Sequence, residues 1–187
     1  MNTGEREMPA VPGTIEGIDV QHIQRYEFAK NFVNGRSVYD AACGCGYGSI
    51  ILDAKDYVGI DRDSDAVEFA TRYYSSDTAK FINHDLQDMG SFDQFDVCIS
   101  FETIEHLEEP HKLLSWISGI CDLFVCSSPI NGSCPQSPFH VIEYSIEEFR
   151  SMLQKYWNNI DFFVQDGMTI RYPCQPSDLG NVLAVCW

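Results

Sequence analysis

A glycine-rich segment and an acidic residue downstream of it have the types and spacing to hold a ligand that contains a ribose. The segment spans 40–48 and reads Asp-Ala-Ala-Cys-Gly-Cys-Gly-Tyr-Gly. Glycines at alternate positions let the backbone pass close to a ligand, because a Cβ atom would block that approach. Ser49 stands where the dinucleotide fingerprint GxGxxG has its last glycine, which argues against a nicotinamide or flavin cofactor. About twenty residues after Asp40, Asp61 ends an apolar run and could accept hydrogen bonds from both ribose hydroxyls.

Two further apolar runs end in residues that suit the same ligand. Asp85 and Leu86 follow the third run. The Asp85 carboxylate could accept a hydrogen bond from an adenine amino group, and Leu86 could lie against the ring. The fourth run ends in Phe101 and Glu102. Because ligands of open α/β sheets bind at the carboxyl ends of the strands, we expect these four strand ends to form one site.

Short apolar runs alternate with helical segments along the chain, and this alternation predicts an α/β fold. The predicted strands cover 37–42, 56–60, 80–83, 95–100, 122–127, 159–164 and 182–187. The predicted helices cover 20–33, 47–54, 64–74, 111–119 and 146–156. No helix separates the last two strands, so they should pair antiparallel. We therefore predict a seven-stranded, mostly parallel sheet with an antiparallel last strand and helices on both faces.

Composition and charge limit the class of protein. The 187 residues are 44% hydrophobic and 21% charged, which favours one globular domain over 1–187, with an extended arm at 1–19 and a loop at 128–144. The net charge of −16 disfavours nucleic acid as a partner, because that affinity depends on Lys and Arg. No run approaches the ~20 apolar residues of a membrane span, and the N-terminus has no secretory pattern, so we expect a cytoplasmic location. None of the eight cysteines forms a CxxC pair, so we expect reduced, buried thiols.

The four strand ends, in this order, resemble those of the class I S-adenosylmethionine-dependent methyltransferases of type 11/23, which have a Rossmann-like fold. The segments Gly4-Glu5-Arg6, His22-Ile23-Gln24-Arg25-Tyr26 and Phe139-His140-Val141-Ile142-Glu143-Tyr144 are similar to a bacterial and phage subgroup associated with glycan biosynthesis. The resemblance implies methyl transfer from S-adenosylmethionine to an O or N atom of a small-molecule or glycan-type acceptor. Two alternatives stay open. They are a non-catalytic cofactor-binding partner of another enzyme and a metal-assisted RNA 2′-O-methyltransferase.

The resemblance also implies roles for individual residues. The expected cofactor-binding residues are Tyr26, Asp40, Ala42, Gly44, Gly46, Asp61, Arg62, Asp85, Leu86 and Phe101. Asp61 would hold the ribose hydroxyls, Asp85 and Leu86 the adenine. Phe101 would lie beside the sulfonium, and Tyr26 or Arg25 would close the site from the N-terminal side.

Three candidate catalytic residues follow the fourth strand or lie in the later loop, and they are Glu105, His106 and His140. Glu102, Glu105 and His106 stand at i, i+3 and i+4, so on a helical turn they would share one face. Such a set suits a divalent metal, to which His140 could add a ligand. Metal binding is not favoured over two other roles, in which His106 acts as a general base or these side chains orient loops and line the acceptor pocket.

Overall fold

The computed structural model describes residues 6–90, 93–130, 137–175 and 177–187. Gly4, Glu5, Cys134 and part of the predicted loop (131–136) lie outside the described residues. The helices are α1 (Val20–Val33), α2 (Gly48–Leu52), α3 (Ser64–Tyr74), α4 (Pro110–Ile120) and α5 (Ile146–Leu153). The strands are β1 (Ser37–Ala41), β2 (Asp56–Asp61), β3 (Ala79–Asn83), β4 (Phe95–Phe101), β5 (Cys121–Pro129), β6 (Ile160–Asp166), β7 (Thr169–Arg171) and β8 (Asn181–Cys186).

The strands form one sheet in the order β3-β2-β1-β4-β5-β8-β6-β7. The first five strands in this order pair in parallel, and β8 pairs antiparallel with both β5 and β6. The predicted mostly parallel sheet with an antiparallel last strand is thus confirmed, but the described residues form eight strands and not seven. The additional strand is β7, which pairs with β6 across a turn at Gly167. Its three residues are too few to give a periodic signal in the sequence.

Alternate residues of the strands face two apolar layers, as the period of a β-strand requires. In β1, Val38 packs in the layer formed with α1 and α2, whereas Tyr39 packs in the layer formed with α4 and α5. Helices therefore cover both faces of the sheet, as predicted. A capping box begins α5, because the Ser145 side chain accepts a hydrogen bond from the Glu148 backbone N–H and Glu148 bonds in return to the Ser145 N–H.

The sequence also predicts the state of the cysteines, the start of one loop and an extended arm. The structure joins Cys98 and Cys121 in a disulfide, so the prediction that every thiol is reduced is wrong for this pair. The free cysteines in the described part of the chain are all buried. Strand β5 extends to Pro129, so the loop predicted to begin at 128 begins after it. The described residues of the arm, 6–19, contain neither helix nor strand.

A buried carboxylate ties α1 to the sheet beneath the glycine-rich segment. Asp40 lies at the end of β1 with no exposed surface. Its Oδ2 atom accepts hydrogen bonds from the hydroxyls of Tyr26, at 3.0 Å, and Tyr57, at 2.6 Å. Burial raises the pKa of Asp40 from its ordinary 3.8 to about 6, although the two hydroxyl donors oppose that rise. One carboxylate thus joins α1, β1 and β2.

The raised pKa of Asp40 predicts a pH dependence of stability. The folded protein binds a proton at Asp40 more tightly than the unfolded chain does. The contribution of this proton to the free energy of unfolding is therefore full below about pH 4 and is lost as the pH rises through about 6. Asp40→Asn should remove up to about 3 kcal/mol of that fall in the free energy of unfolding. Urea unfolding of both proteins between pH 4 and pH 7 measures the difference. Parallel curves for the two proteins would contradict the assignment.

Candidate functional site

A cavity of about 370 Å³ opens at the carboxyl ends of the strands, where β1 lies between β2 and β4. Its wall includes most of the residues predicted to bind a cofactor, and these are Tyr26, Ala42, Gly44, Asp61, Arg62, Asp85, Leu86 and Phe101. They come from α1 and from the segments that follow β1, β2, β3 and β4. Ligands of open α/β sheets bind at such a reversal of strand order, because the connections on either side leave the sheet on opposite faces.

The glycine-rich segment between β1 and α2 forms the floor of the cavity. Gly44 lines it with a φ of +56°, and a Cβ atom built there would meet no atom of the described chain. Gly46 does not line the cavity. Its Cβ would collide with Ala70 and Phe81, so this glycine lets the segment pack against α3 and β3. Asp40 likewise lies beneath the segment and not in the wall.

Asp61 joins the segment to the end of β2. Its Oδ2 atom accepts a hydrogen bond from the Gly44 backbone N–H at 2.9 Å, and its Oδ1 atom accepts one from the Asp63 backbone N–H at 2.9 Å. The residue is 6% exposed, and its side chain lines the cavity. Farther along the wall, Asp85 is exposed, whereas Leu86 is 5% exposed. The cavity wall thus combines the carboxylates of Asp61 and Asp85 with the buried apolar side chain of Leu86.

The cavity wall also contains residues that the sequence did not single out as site residues. They are Glu7, Cys43, Tyr47, Asp63, Thr103 and Leu107, together with Arg6, His22 and Phe139 from segments quoted only for their resemblance. Burial and the nearby Arg25 lower the pKa of His22 to about 4, so this ring is neutral near pH 7. Arg25 itself is buried and donates to Gln165 at 2.8 Å, so of the two residues expected to close the site only Tyr26 lines it.

The segment after β4 carries Glu102, Glu105 and His106, and it brings two of them to the cavity wall. Ile104–His106 form a 3-10 turn, and Glu102 precedes it with a φ of +50°. Glu102, Glu105 and His106 therefore do not share one face, because the turn is not α-helical. Glu102 and His106 line the cavity, whereas Glu105 is fully buried and does not line it.

Glu105 is a buried acid with one unsatisfied oxygen. Its Oε2 atom accepts from the Ser128 hydroxyl at 3.2 Å, and its Oε1 atom has no hydrogen-bond partner among the described residues. Burial, followed by the charge of Glu102, raises its pKa well above the ordinary value. One ligand atom each from Glu105, His106 and His140 lie within 4.8 Å of one another. The predicted proximity of these three residues is thus present in the structure, whereas Glu102 is not part of this group.

The His106 ring is held by the loop that follows β5. Its Nδ1 atom lies 3.0 Å from the Phe139 carbonyl oxygen, and the His140 ring packs edge-on at 4.9 Å between centroids. A carbonyl oxygen only accepts, so Nδ1 carries the proton in this contact. When the ring is neutral, this contact leaves the lone pair on Nε2. The wall at this end of the cavity thus contains a histidine whose Nδ1 donates to the loop after β5.

The described part of the chain contains no helix of the length and apolar character that a membrane crossing needs.

Comparison with known proteins agrees with the fold. Residues 39–122 match the family model described as a methyltransferase domain. None of the curated proteins matches the chain in sequence. Three solved structures illustrate the likeness. The chain solved with the Trm112 methyltransferase activator of Haloferax volcanii is 19% identical, with a TM-score of 0.72 and 88% of each chain covered.

The plantazolicin methyltransferase BpumL, solved with S-adenosylhomocysteine, is 16% identical with a TM-score of 0.68, and the match covers 89% of this chain and 83% of that one. A methyltransferase of Thermotoga maritima, described as a possible histamine N-methyltransferase, is 12% identical with a TM-score of 0.72, and the match covers 89% and 88%. The chain thus carries a match to a methyltransferase domain from β1 to the start of β5, in a fold that it shares with solved S-adenosylmethionine-dependent methyltransferases.

Proposed function

We propose that residues 1–187 form one S-adenosylmethionine-dependent methyltransferase domain that acts on an O or N atom of a small-molecule or glycan-type acceptor. The observation that carries the proposal is the cavity at the reversal of strand order, where Asp61 is bonded to the glycine-rich segment and lines the cavity. The match of residues 39–122 to a methyltransferase domain supports the same conclusion.

The cavity wall fits the parts of this cofactor. Asp61 would accept from the ribose hydroxyls, with Arg62 beside it, while Asp85 and Leu86 would hold the adenine. Gly44 and Ala42 would pass beneath the ribose and methionine portions, since the space above Gly44 is open. Tyr26 and Phe101 pack edge to face at 5.1 Å and would close the methionine end. Gly46 and Asp40 would act indirectly, by shaping the segment from below.

Methyl transfer needs little beyond alignment from the protein, because the sulfonium supplies an activated methyl group. The acceptor atom must approach in line with the breaking S–CH₃ bond, and the aromatic rings of Tyr26 and Phe101 would restrict that approach. An oxygen or ammonium acceptor must also lose a proton. A base near the cavity wall is therefore the second requirement.

Asp61→Ala should abolish binding of S-adenosylhomocysteine, because the variant lacks both oxygens that would accept from the ribose. Asp56→Ala is the matched control, since Asp56 is exposed at the opposite end of the same strand. Calorimetric titration of the wild type and both variants measures the change. Binding by Asp61→Ala with the affinity of the wild type would rule out this ribose site.

The acceptor would enter past the residues that follow β4. This acceptor end comprises Glu102, Thr103, His106, Leu107 and Phe139. These described residues include two aromatic or aliphatic side chains and no Lys or Arg, so nothing at this end neutralises a phosphate. Together with the net charge of −16, this composition favours a neutral or cationic acceptor over RNA or DNA. A small hydroxyl or amine compound, or a glycan, fits these requirements.

We assign the role of general base to His106, with His140 and Glu105 as supports. The hydrogen bond to Phe139 places the proton on Nδ1, so Nε2 can take a proton from the acceptor. His140 packs against the ring. The backbone carbonyl of Glu105 accepts from the N–H groups of Val141 and Ile142, at 2.8 and 3.2 Å, which holds the loop that carries His140.

His106→Ala should lower turnover of S-adenosylmethionine with a productive acceptor by roughly 10²–10⁴-fold, the range typical of a lost acid–base group. The affinity for S-adenosylhomocysteine should change by no more than about twofold, because the chemical step and not the cofactor site is affected. His111→Ala is the control, since His111 bonds to Tyr156 outside the cavity. Turnover close to that of the wild type would contradict the role of His106.

A second candidate is metal-assisted transfer, which is favoured by the one cluster formed by Glu105, His106 and His140 in the described chain. Carboxylate and imidazole ligands suit Mn²⁺ and related divalent ions. Turnover measured with a chelator separates the candidates. Under the general-base proposal the chelator has no effect, whereas under the metal proposal it stops turnover and added Mg²⁺ or Mn²⁺ restores it.

The remaining alternative is a non-catalytic partner of another enzyme. It predicts tight binding of S-adenosylhomocysteine without turnover over a panel of hydroxyl, amine and glycan acceptors. An activating protein partner would be distinguished by turnover that appears only when that partner is added.

A further inference from the structure

The described part of the N-terminal arm, 6–19, lines the cavity at its start and is fixed at several points. Arg6 and Glu7 line the cavity. Glu7 accepts a hydrogen bond from the Asp19 backbone N–H at 2.9 Å, which joins the two ends of the described arm. Farther along, the Tyr74 hydroxyl of α3 donates to the Thr14 carbonyl oxygen at 2.7 Å. These contacts place the arm over the end of the cavity that carries Asp61.

Arg6 makes a bridge between two carboxylates at that end. Its Nη2 atom lies 3.2 Å from Asp61 Oδ1, and its Nη1 atom lies 2.5 Å from Asp63 Oδ2. The Arg6 side chain is 14% exposed, and those of Asp61 and Asp63 are 8% and 22% exposed. Charge-assisted hydrogen bonds in such a partly buried place are stronger than those between fully exposed groups.

The bridge occupies an oxygen that the proposed cofactor needs. Each carboxylate oxygen has about two acceptor positions. Asp61 Oδ1 already accepts from the Asp63 backbone N–H and from Arg6, while Oδ2 accepts from the Gly44 N–H. A ribose diol that donates to both oxygens must therefore displace one donor from Oδ1. The Asp63 N–H is part of the turn into α3, so the Arg6 side chain is the donor that can move.

We infer that Arg6 is a latch that closes the arm over the cofactor cavity, and that it must leave Asp61 before the ribose can bind there and leave Asp63 before the bound cofactor can depart. The inference rests on the proposed function, since it takes the ribose as the ligand of Asp61. Asp63 keeps the guanidinium close while Asp61 is occupied by the ribose. The arm thereby controls the rate of cofactor exchange, as lids do in other enzymes.

Two substitutions open the latch without touching Asp61. Arg6→Ala removes the bridge. Asp63→Asn removes the carboxylate oxygen that accepts from Arg6 Nη1 and leaves the cap of α3 in place. Asp63 caps α3 with Oδ1, which accepts from the N–H groups of Asp65 and Ala66, and an asparagine oxygen can keep those bonds. Lys30→Ala is the control for the charge of Arg6, since Lys30 is exposed on α1.

Stopped-flow mixing with S-adenosylhomocysteine gives the association and dissociation rate constants of each protein. We expect both rate constants to rise by roughly five- to tenfold in Arg6→Ala and Asp63→Asn, because entry and departure no longer wait for the latch, and neither to change in Lys30→Ala. Hydrogen exchange should become faster in the arm and stay unchanged in α3. This pattern would support the latch.

Three results would overturn it. A rise in the dissociation rate constant alone would make Arg6 a direct contact of the cofactor. Unchanged rate constants in both variants, with binding intact, would remove the latch and leave the proposed function standing. No binding by the folded wild-type protein would overturn the proposed function, and the latch with it.

Discussion

The reversal of strand order beside β1 is the constraint on which the site depends. The glycine-rich segment after β1 leads to α2, which packs in the apolar layer shared with α1, whereas the chain after β4 leads to α4 in the opposite layer. Because neighbouring parallel strands send their connections to opposite faces, a gap forms between those connections. The cavity lies in that gap, and side chains at four strand ends meet there without any single segment of the chain carrying them all.

Two carboxylates near this gap have opposite environments and opposite tasks. Asp40 is sealed from solvent, and its Oδ2 atom accepts from two tyrosine hydroxyls, so it fixes α1 against β1 and β2, while its Oδ1 atom has no hydrogen-bond partner among the described residues. Asp61 bonds to Gly44 and to Arg6 and lines the cavity, so a ligand that binds Asp61 would compete with Arg6 for its oxygens. Burial raises the pKa of Asp40 and thereby limits its use as a charged ligand group. The buried carboxylate that fixes α1, Asp40, and the carboxylate that lines the cavity, Asp61, are thus separate residues on adjacent strands.

The proposed acceptor end is held by long-range hydrogen bonds more than by regular secondary structure. The backbone carbonyl of Glu105 accepts from Val141 and Ile142, and the Phe139 carbonyl accepts from His106. The 3-10 turn after β4 and the loop after β5 therefore hold each other. Loops positioned by a scaffold in this way commonly carry binding and catalytic residues, because the scaffold fixes their ends while their sequences stay free to vary.

The sequence by itself determined the succession along the chain of the helices and of every strand except β7, the capping box at Ser145 and the residues Asp61 and Asp85 near strand ends, because apolar periodicity and capping are local properties. Only the tertiary structure decided that Arg6 lies against Asp61, that Glu105 is buried while His106 faces the cavity, and that Cys98 bonds to Cys121. Each of these depends on contacts between segments far apart in the chain. The strength of such contacts depends on burial and on distances between atoms, and the spacing of residues along a single sequence contains neither.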